Sequence, residues 1–329
     1  MIKVGINGFG RIGRMVTREI TRREGVEVVA INDPEPLSAL GHLFDFDSVH
    51  GRFPGDVKVD QDCLVVDGKA IRKYSESSPC KIPWFESQAD IVLECSGLFK
   101  DRKTASQHLG RSVKKVIISA ATTDESIPMV VLGVNEGILS SFDTVISNAS
   151  CTTNNAAPMI DLIHEHFNIE SCYITTVHSY TGDQKLHDSP HHDLRRARAA
   201  ALSIVPTTTG AAKALNHIFP DLTLKIGGCG IRVPVPDGSL TDMTCIVSAD
   251  TSVEEVNEVF ERASNGKHAG FLEYTEEPIV STDIIGNPHS CVFDAALTSV
   301  IGRMVKVVGW YDNEIGYSNR LVELVKRVG

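Results

Sequence analysis

Ser150-Cys151-Thr152-Thr153-Asn154 stands between an apolar run, DTVISN at 143–148, and an amphipathic stretch, NNAAPMIDLIHEHF at 154–167. That order puts a cysteine where a strand hands over to a helix. A helix N-terminus presents unpaired N–H groups and a positive field, which favour a thiolate over a thiol. His178 follows 178 − 151 = 27 residues later, at the end of the run YITTVH. A thiol and an imidazole in contact make a nucleophile and its base, the pair needed for covalent carbonyl chemistry. A lone Cys and a distant His are more often unrelated core residues, so the neighbours carry the argument. Thr181, Asp183, Arg195, Arg196 and Arg198 follow His178 on a polar loop. Thr207-Thr208-Thr209-Gly210 opens a helical stretch, AAKALNHIF, whose first N–H groups suit an anion. Arg232 sits in a strand among apolar residues, where an unpaired guanidinium would be costly. Together these cations point to a phosphate-bearing substrate. For any single arginine of the RRAR run the plainer reading is a solvated loop face or a subunit contact.

A second signal opens the chain. Gly8-Phe9-Gly10-Arg11-Ile12-Gly13 is G-x-G-x-x-G, set between the strand run IKVGIN and a helical stretch from Arg11 to Arg23. Asp33 ends the next strand run, 33 − 13 = 20 residues beyond Gly13, where a carboxylate accepts hydrogen bonds from an adenosine ribose. The glycines permit a tight turn and let backbone N–H groups reach a pyrophosphate. A carboxylate there repels a 2′-phosphate, so the pattern predicts NAD rather than NADP.

The elements that must position these groups fall into two kinds. Residues 2–7, 26–33, 89–97, 114–120 and 143–148 are short continuous apolar runs separated by helical stretches, the pattern of a parallel sheet covered on both faces. After Asn148 the runs at 172–178, 225–235 and 241–250 alternate like antiparallel strands, with a polar, Arg-rich loop at about 179–203. SVEEVNEVFERA at 252–263 reads as a capped surface helix, and Tyr317 to Arg327 as a last helix that packs back on the first domain. The expectation is an α/β chain: a Rossmann-type doubly wound parallel sheet over 1–148, then an α+β catalytic domain with a mostly antiparallel sheet over 149–314. The boundary lies near 148–151.

At 329 residues the chain is long enough for two such domains, and 42% hydrophobic with 22% charged residues excludes disorder and a coiled-coil rod. A net charge of −10 argues against nucleic acid or an anionic membrane as the main partner. No run of apolar residues is long enough to span a bilayer, and the N-terminus reads straight into a strand without a signal-peptide pattern. The eight cysteines, at 63, 80, 95, 151, 172, 229, 245 and 291, include no C-x-x-C pair. They read as buried thiols of a cytoplasmic protein, one or two of them reactive, with no disulfide framework and no metal site.

NGFGRIGR, SNASCTTN, TTVHSYTGDQ, DLRRARAAA, PTTTGAAKA and WYDNEIGYSNR resemble the phosphorylating glyceraldehyde-3-phosphate dehydrogenase family, and the likeness runs nearly end to end. The resemblance implies a Rossmann-type NAD domain, a catalytic domain with an S-shaped loop, a homotetramer, and glyceraldehyde 3-phosphate and inorganic phosphate as substrates. By the same resemblance Cys151 is the nucleophile and His178 the base. Arg11 and Ile12 match positions whose backbone meets the pyrophosphate, Asp33 the ribose ligand, Ser119 a cofactor-contacting serine, and Asn313 the side chain that holds the nicotinamide amide. Ser150, Cys151, Thr152, Thr181, Thr209, Gly210 and Arg232 match the positions that bind substrate and phosphate. Arg196 is the chosen loop arginine, with Arg195 and Arg198 not separable from it by sequence.

The chain also departs from the family pattern. Asn155 stands where members often carry a second Cys, a change expected to spare the chemistry and to limit oxidative cross-linking. Ser77 replaces an arginine near the adenosine, Ala121 and Thr122 follow Ser119-Ala120 where many members have Pro, and Ser189-Pro190 with Asp33-Pro34 favours NAD. Two other readings are compatible with parts of this pattern. One is the related erythrose-4-phosphate dehydrogenase, which Ser179-Tyr180-Thr181 and Thr209-Gly210-Ala211-Ala212-Lys213 disfavour. The other is a non-catalytic NAD-binding regulator, which the intact Cys151, His178, Arg232 and Asn313 set disfavours.

Overall fold

The computed structural model describes residues 1–329. They form two compact units: 1–130, 137–149 and 318–329 in the first, 131–136 and 150–317 in the second. The short segment 131–136 therefore leaves the N-terminal part, where the sequence placed it, and joins the second unit.

The first unit is built on an eight-stranded sheet. Its strands are β1 (Ile2–Asn7), β2 (Val26–Asn32), β5 (Val57–Asp60), β6 (Cys63–Val66), β7 (Lys69–Tyr74), β8 (Ile91–Glu94), β9 (Lys115–Ile118) and β10 (Val145–Ser147), and β3 (Phe46–Asp47) with β4 (Gly51–Arg52) makes a separate small ribbon. The order is β10-β9-β8-β1-β2-β7-β6-β5. From β10 to β7 every pairing is parallel, whereas β5, β6 and β7 run as an antiparallel meander. That meander is absent from the sequence reading, because VKVD and KAIRKY alternate with charged residues and lack a continuous apolar core. The central strands are apolar on both faces because both are covered: Val4, Ile6, Ile31, Ile91, Leu93, Val116 and Ile117 are all buried. Helix α1 (Arg11–Thr21) contributes Met15, Val16 and Ile20 to that core, and α2 (Leu37–Asp45) contributes Leu40 and Phe44; α3 (Arg102–Ala105) is a single turn. Ser318–Gly329, the end of α7 (Ile315–Val328), buries Leu321, Val322, Leu324 and Val325 in this unit, and Arg23 holds it through Asn319 and Glu323.

The second unit has a sheet in the order β12-β13-β11-β14-β18-β16-β15, with β17 on β18. Its strands are β11 (Ile169–Ser179), β12 (Val205–Thr207), β13 (Ile226–Val233), β14 (Ser239–Val247), β15 (Leu272–Thr275), β16 (Cys291–Asp294), β17 (Ser299–Ile301) and β18 (Met304–Tyr311). Most pairings are antiparallel, but β15 pairs with β16 and β11 with β13 in parallel, the latter not revealed by the alternation at 172–178 and 225–235. Parallel neighbours need a long crossover, and here it carries the 180–204 loop, β12 and α5 (Ala211–Ile218). One face of this sheet is buried, with Cys172, Ile174, Met243, Cys245 and Val307 on it, and contacts α4 (Cys151–Phe167). Helix α6 (Val253–Ser264) starts at a capping box in which Ser252 and Glu255 satisfy each other's backbone N–H groups. No helix is long and apolar enough to cross a membrane.

Candidate active site

In the first unit the carboxyl ends of β1, β2 and β9 carry the groups picked out as cofactor ligands. Gly8 has φ +92°, and a Cβ there would lie 2.6 Å from the Ser96 backbone; one on Gly13 would lie 2.2 Å from the Gly8 carbonyl oxygen. Both positions need glycine for different reasons, a left-handed backbone and a close helix–turn approach. Gly10 caps α1, and a Cβ on it would meet nothing within 4 Å. Asp33 Oδ2 accepts from the Phe9 N–H at 2.8 Å and Oδ1 from the Glu35 N–H at 3.0 Å, which fixes the carboxylate beside the turn. Ser119 donates its hydroxyl to the Glu94 carbonyl at 3.0 Å. A glycine cradle at a helix start, with a carboxylate at its side, fits the pyrophosphate and ribose of NAD.

Two supports of this cradle are not evident from sequence. Arg11 turns its side chain onto Asp47 in a bidentate pair of 2.6 and 3.2 Å. Burial works against the Asp47 carboxylate, but the His50 N–H, Arg11 and the Val49 N–H outweigh it and hold its pKa down at about 2. Beneath the turn runs a buried polar chain. Trp84 donates its indole N–H to His108 Nδ1 at 3.1 Å, His108 Nε2 meets Glu94 at 3.0 Å, Asn7 donates to Glu94 at 2.6 Å, and Asn32 donates to Asn7 at 2.8 Å. Because Nδ1 accepts from Trp84, the His108 proton sits on Nε2 and faces the carboxylate. Asn7 and Asn32 directly precede Gly8 and Asp33, so this chain fixes both turns.

In the second unit Cys151 is the first residue of α4, three positions earlier than the amphipathic pattern alone marks. Ala149, two residues before it, is held at φ 55° without being glycine. Such left-handed residues mark places where the fold imposes a direction on the chain, and here that direction is the entry to the helix. Ser150 is the N-cap: its Oγ accepts from the Thr153 N–H at 3.1 Å. Cys151 Sγ lies 3.4 Å from His178 Nε2, so the two residues read as nucleophile and base are in contact. β11 and β13 set His178 and Arg232 side by side in register, and β12 adds Thr207 opposite Gly230. Arg232 Nη1 is 2.7 Å from His178 Nδ1 and donates to the Ser179 carbonyl at 3.1 Å.

Burial pushes the Cys151 thiol up, while Arg232 and the Thr152 N–H pull it down. Burial, reinforced by Arg232, pushes the His178 imidazole down to about 3. The pair therefore rests as thiol and neutral imidazole; His178 Nδ1 donates its proton to the Ser179 carbonyl at 2.8 Å, which leaves Nε2 to take the thiol proton. Elsewhere burial raises Cys95 to about 12 and also raises Cys291, which makes them inert beside Cys151. Against the expectation of buried thiols, Cys80 is exposed and Cys63, Cys95, Cys151 and Cys229 are half-buried, while Cys172, Cys245 and Cys291 are buried; all eight are free.

The loop arginines separate by their partners. Arg196 keeps only 17% of its side chain exposed, pairing with Asp183 at 2.6 Å and donating to Thr207 Oγ1 at 3.0 Å and the Thr208 carbonyl at 3.3 Å. Arg198 pairs with Asp188 and is 66% exposed, and the Arg195 side chain is exposed. Asp183 also receives the Thr181 hydroxyl. Burial opposes its carboxylate, but Thr181, Arg196 and Arg232 keep its pKa low. Thr209 Oγ1 accepts from the Ala211 N–H at 3.2 Å, and Gly210 is the N-cap of α5. Asp183 thus ties Thr181 to Arg196, beside the Thr207–Gly210 turn and within the electrostatic reach of Arg232.

Tyr311 was not singled out from the sequence. Its hydroxyl meets Thr152 Oγ1 at 2.9 Å, and its ring packs edge-on to His178 at 5.9 Å. Its place in WYDNEIGYSNR, two residues before Asn313, was the available signal. Asn313 is 6% exposed and is held by Ser179 and Ser239. Asn155, treated as a mere absence of sulfur, is fully buried and donates to the Ser290 and Trp310 carbonyls at 3.3 and 3.2 Å.

Comparison with known proteins gives the same picture. Residues 2–102 match the family described as glyceraldehyde 3-phosphate dehydrogenase, NAD binding domain, and residues 150–313 match its C-terminal domain. A glyceraldehyde-3-phosphate dehydrogenase of Thermotoga maritima is 52% identical over 329 residues, covering 99% of this chain and 98% of the relative. Glyceraldehyde-3-phosphate dehydrogenase 2 of Streptomyces avermitilis is 50% identical over 334 residues and that of Mycobacterium avium 49% over 335, each covering 100% of this chain and 98% of the relative.

Proposed function

The chain belongs to the glyceraldehyde-3-phosphate dehydrogenase family, whose members are NAD-dependent oxidoreductases, and from that premise we propose how its own residues carry the reaction. Cys151 attacks the aldehyde carbon of glyceraldehyde 3-phosphate after its proton passes to His178 Nε2, and the imidazolium returns that proton to the carbonyl oxygen as the hemithioacetal forms. The resulting hemithioacetal hydroxyl gives its proton to His178, whose ring then supports the oxygen as it collapses to a carbonyl. NAD, when bound, supplies the acceptor for the hydride that leaves this carbon. Cys151 is left holding a thioester, which keeps the oxidation energy that free water would dissipate. Inorganic phosphate attacks the thioester and releases 1,3-bisphosphoglycerate and the thiolate.

Ser150, Thr152, Thr181, Arg196, Thr209, Gly210 and Arg232 are the residues we assign to the two phosphate groups. Gly8, Gly10, Arg11, Ile12 and Gly13 hold the pyrophosphate in this proposal, Asp33 the ribose, Ser119 the cofactor's inner part and Asn313 the nicotinamide amide. The observation that carries the reading is the 3.4 Å contact between Cys151 Sγ and His178 Nε2 at a helix start, with Arg232 behind the imidazole. Cys151→Ser should abolish turnover, and His178→Asn should lower it by roughly 10²–10⁴. Retention of more than a tenth of the wild-type rate in either variant would sink the assignment. The full-length likeness to glyceraldehyde-3-phosphate dehydrogenases favours this substrate over erythrose 4-phosphate and over a role without catalysis.

A homotetramer is part of the same proposal. Leu186, Leu194, Leu202 and Ile204 in and beside the Arg-rich loop are 69–84% exposed, and Tyr173 and Ile301 on the sheet are 52% and 67% exposed. Apolar surface on this scale asks for a partner. Eight free thiols favour a reducing, cytoplasmic setting. Sedimentation of the purified protein tests the first point, a monomeric species counting against it.

A further inference from the structure

Asn313 stands between the end of β18 and the start of α7, and its Oδ1 accepts from two hydroxyls, Ser179 Oγ at 2.9 Å and Ser239 Oγ at 2.6 Å. Ser179 ends β11 and Ser239 begins β14, two strands paired through Val177 and Leu240. Ser239 Oγ also accepts from the Ser179 N–H at 3.1 Å, which locks the two serines together. Both are fully buried, at 0% and 1% exposure.

A side-chain amide has an accepting and a donating end, and packing alone hardly tells them apart. Hydrogen bonding does so here. Ser179 Oγ has one partner, Asn313, so its hydroxyl hydrogen has one acceptor to go to. With the amide as found, both serine hydrogens are used and both lone-pair sites of Oδ1 are filled. Turning the amide over would set Nδ2 against both hydroxyls and leave the Ser179 hydrogen buried with no acceptor, a state folded proteins avoid. Nδ2, with its two hydrogens, has no partner within the protein.

We propose that Ser179 and Ser239 are positioning residues that lock the Asn313 amide with Nδ2 turned away from them, so that the chain recognises a pyridine cofactor through the carbonyl oxygen at its 3-position and not through the NH₂ of the carboxamide. The proposal rests on the reading that Asn313 meets the nicotinamide. It adds a polarity to that contact: the protein donates and the cofactor accepts. Any cofactor with an acceptor at that position satisfies the contact, with or without a donor beside it.

The test uses the full-length wild-type protein and two cofactors, NAD and its 3-acetylpyridine analogue, whose ketone keeps the acceptor and lacks the NH₂. Dissociation constants are measured by calorimetry. The wild type should bind the analogue within about threefold of NAD, less than the loss of one hydrogen bond would give. Ser179→Ala and Ser239→Ala should each weaken NAD by about fivefold and the analogue by more. A freed amide can turn its oxygen to the NH₂ of NAD, but that orientation offers nothing to the ketone. The rate of Cys151 alkylation by iodoacetamide without cofactor should stay within about twofold of wild type in both variants. A merely structural role for the serines would move it, since Ser179 adjoins His178.

Binding of the analogue ten times or more weaker than NAD in the wild type overturns the proposal. So does an unchanged ratio of the two cofactors in both serine variants, or a serine variant that alters Cys151 alkylation as much as it alters cofactor binding. If a serine variant does not fold, the wild-type comparison decides. Asn313→Ala is the separate control: unchanged NAD binding there refutes the underlying placement of Asn313 at the nicotinamide, whatever the serines do.

Discussion

Replacing Gly13 by Ala isolates the dinucleotide cradle from the rest of the chemistry. The new Cβ would stand 2.2 Å from the Gly8 carbonyl oxygen and 3.3 Å from Ile6 Cγ2. An ordinary C···O contact is about 3.3 Å, so the start of α1 must move away from the turn by roughly 1 Å. The turn cannot yield instead, because Gly8 is already against the Ser96 backbone and Ile6 is fully buried in the sheet. The helix start therefore shifts, carrying the Arg11 and Ile12 N–H groups away from where a pyrophosphate would sit. Hydrogen bonds to a charged group contribute about 1.5–3 kcal/mol each, so losing one weakens NAD by about 10- to 100-fold. Overpacking should also lower stability by about 1–3 kcal/mol. Calorimetric titration with NAD and a thermal melt give both numbers, and Cys151 alkylation without cofactor should be unchanged. A dissociation constant within twofold of wild type would refute the claim that this turn carries the cofactor.

Further outcomes concern the second unit. His178 is held neutral with a pKa near 3 against about 6.5 unfolded, so its contribution to stability is complete above pH 6.5 and lost as pH falls toward 3. At pH 5 the loss is about 2 kcal/mol, and the gap in unfolding free energy between wild type and His178→Gln should shift in the variant's favour by that amount between pH 8 and pH 5; a pH-independent gap contradicts the buried neutral imidazole. Arg196→Ala should raise the KM for inorganic phosphate by about tenfold or more, whereas Arg198→Ala, which breaks only an exposed ion pair, should change it by less than about twofold. The reverse ranking would show that the partners of Arg196 hold the loop and not the anion. Asn155→Cys removes two buried bonds to backbone carbonyls and should cost about 1–3 kcal/mol in denaturant unfolding. It should also speed peroxide inactivation, by placing a second thiol one helical turn from Cys151.

How much of this was legible beforehand depends on which kind of information each feature needs. IKVGIN, the glycine turn and the place of Asp33 were readable because a buried parallel strand, a tight turn and a carboxylate that ends the next strand each leave a local mark. Cys151 and His178 were readable as types, and the resemblance supplied their pairing. The parallel β11–β13 pairing was not, since alternation reports which face is buried and says nothing about the neighbour's direction. β5 to β7 were missed because their exposed alternating charges hide a strand that continues a parallel sheet. The choice among Arg195, Arg196 and Arg198 turns on burial and on Asp183 and Thr207, which only the fold brings together. Asp47, Tyr311 and the Ser179–Ser239 pair likewise act through contacts between segments far apart in the chain. The structural part played by Asn155 is hidden for the same reason, its two acceptors lying 135 and 155 residues away.

The most direct trial of covalent, phosphate-dependent oxidation at Cys151 is rapid mixing of the protein with glyceraldehyde 3-phosphate and NAD, phosphate being withheld and then added. A thioester mechanism predicts a burst of NADH equal to the concentration of Cys151, a stall, and steady turnover once phosphate arrives, with no burst in Cys151→Ser. Steady turnover before phosphate is added, or a burst that survives in Cys151→Ser, would contradict it.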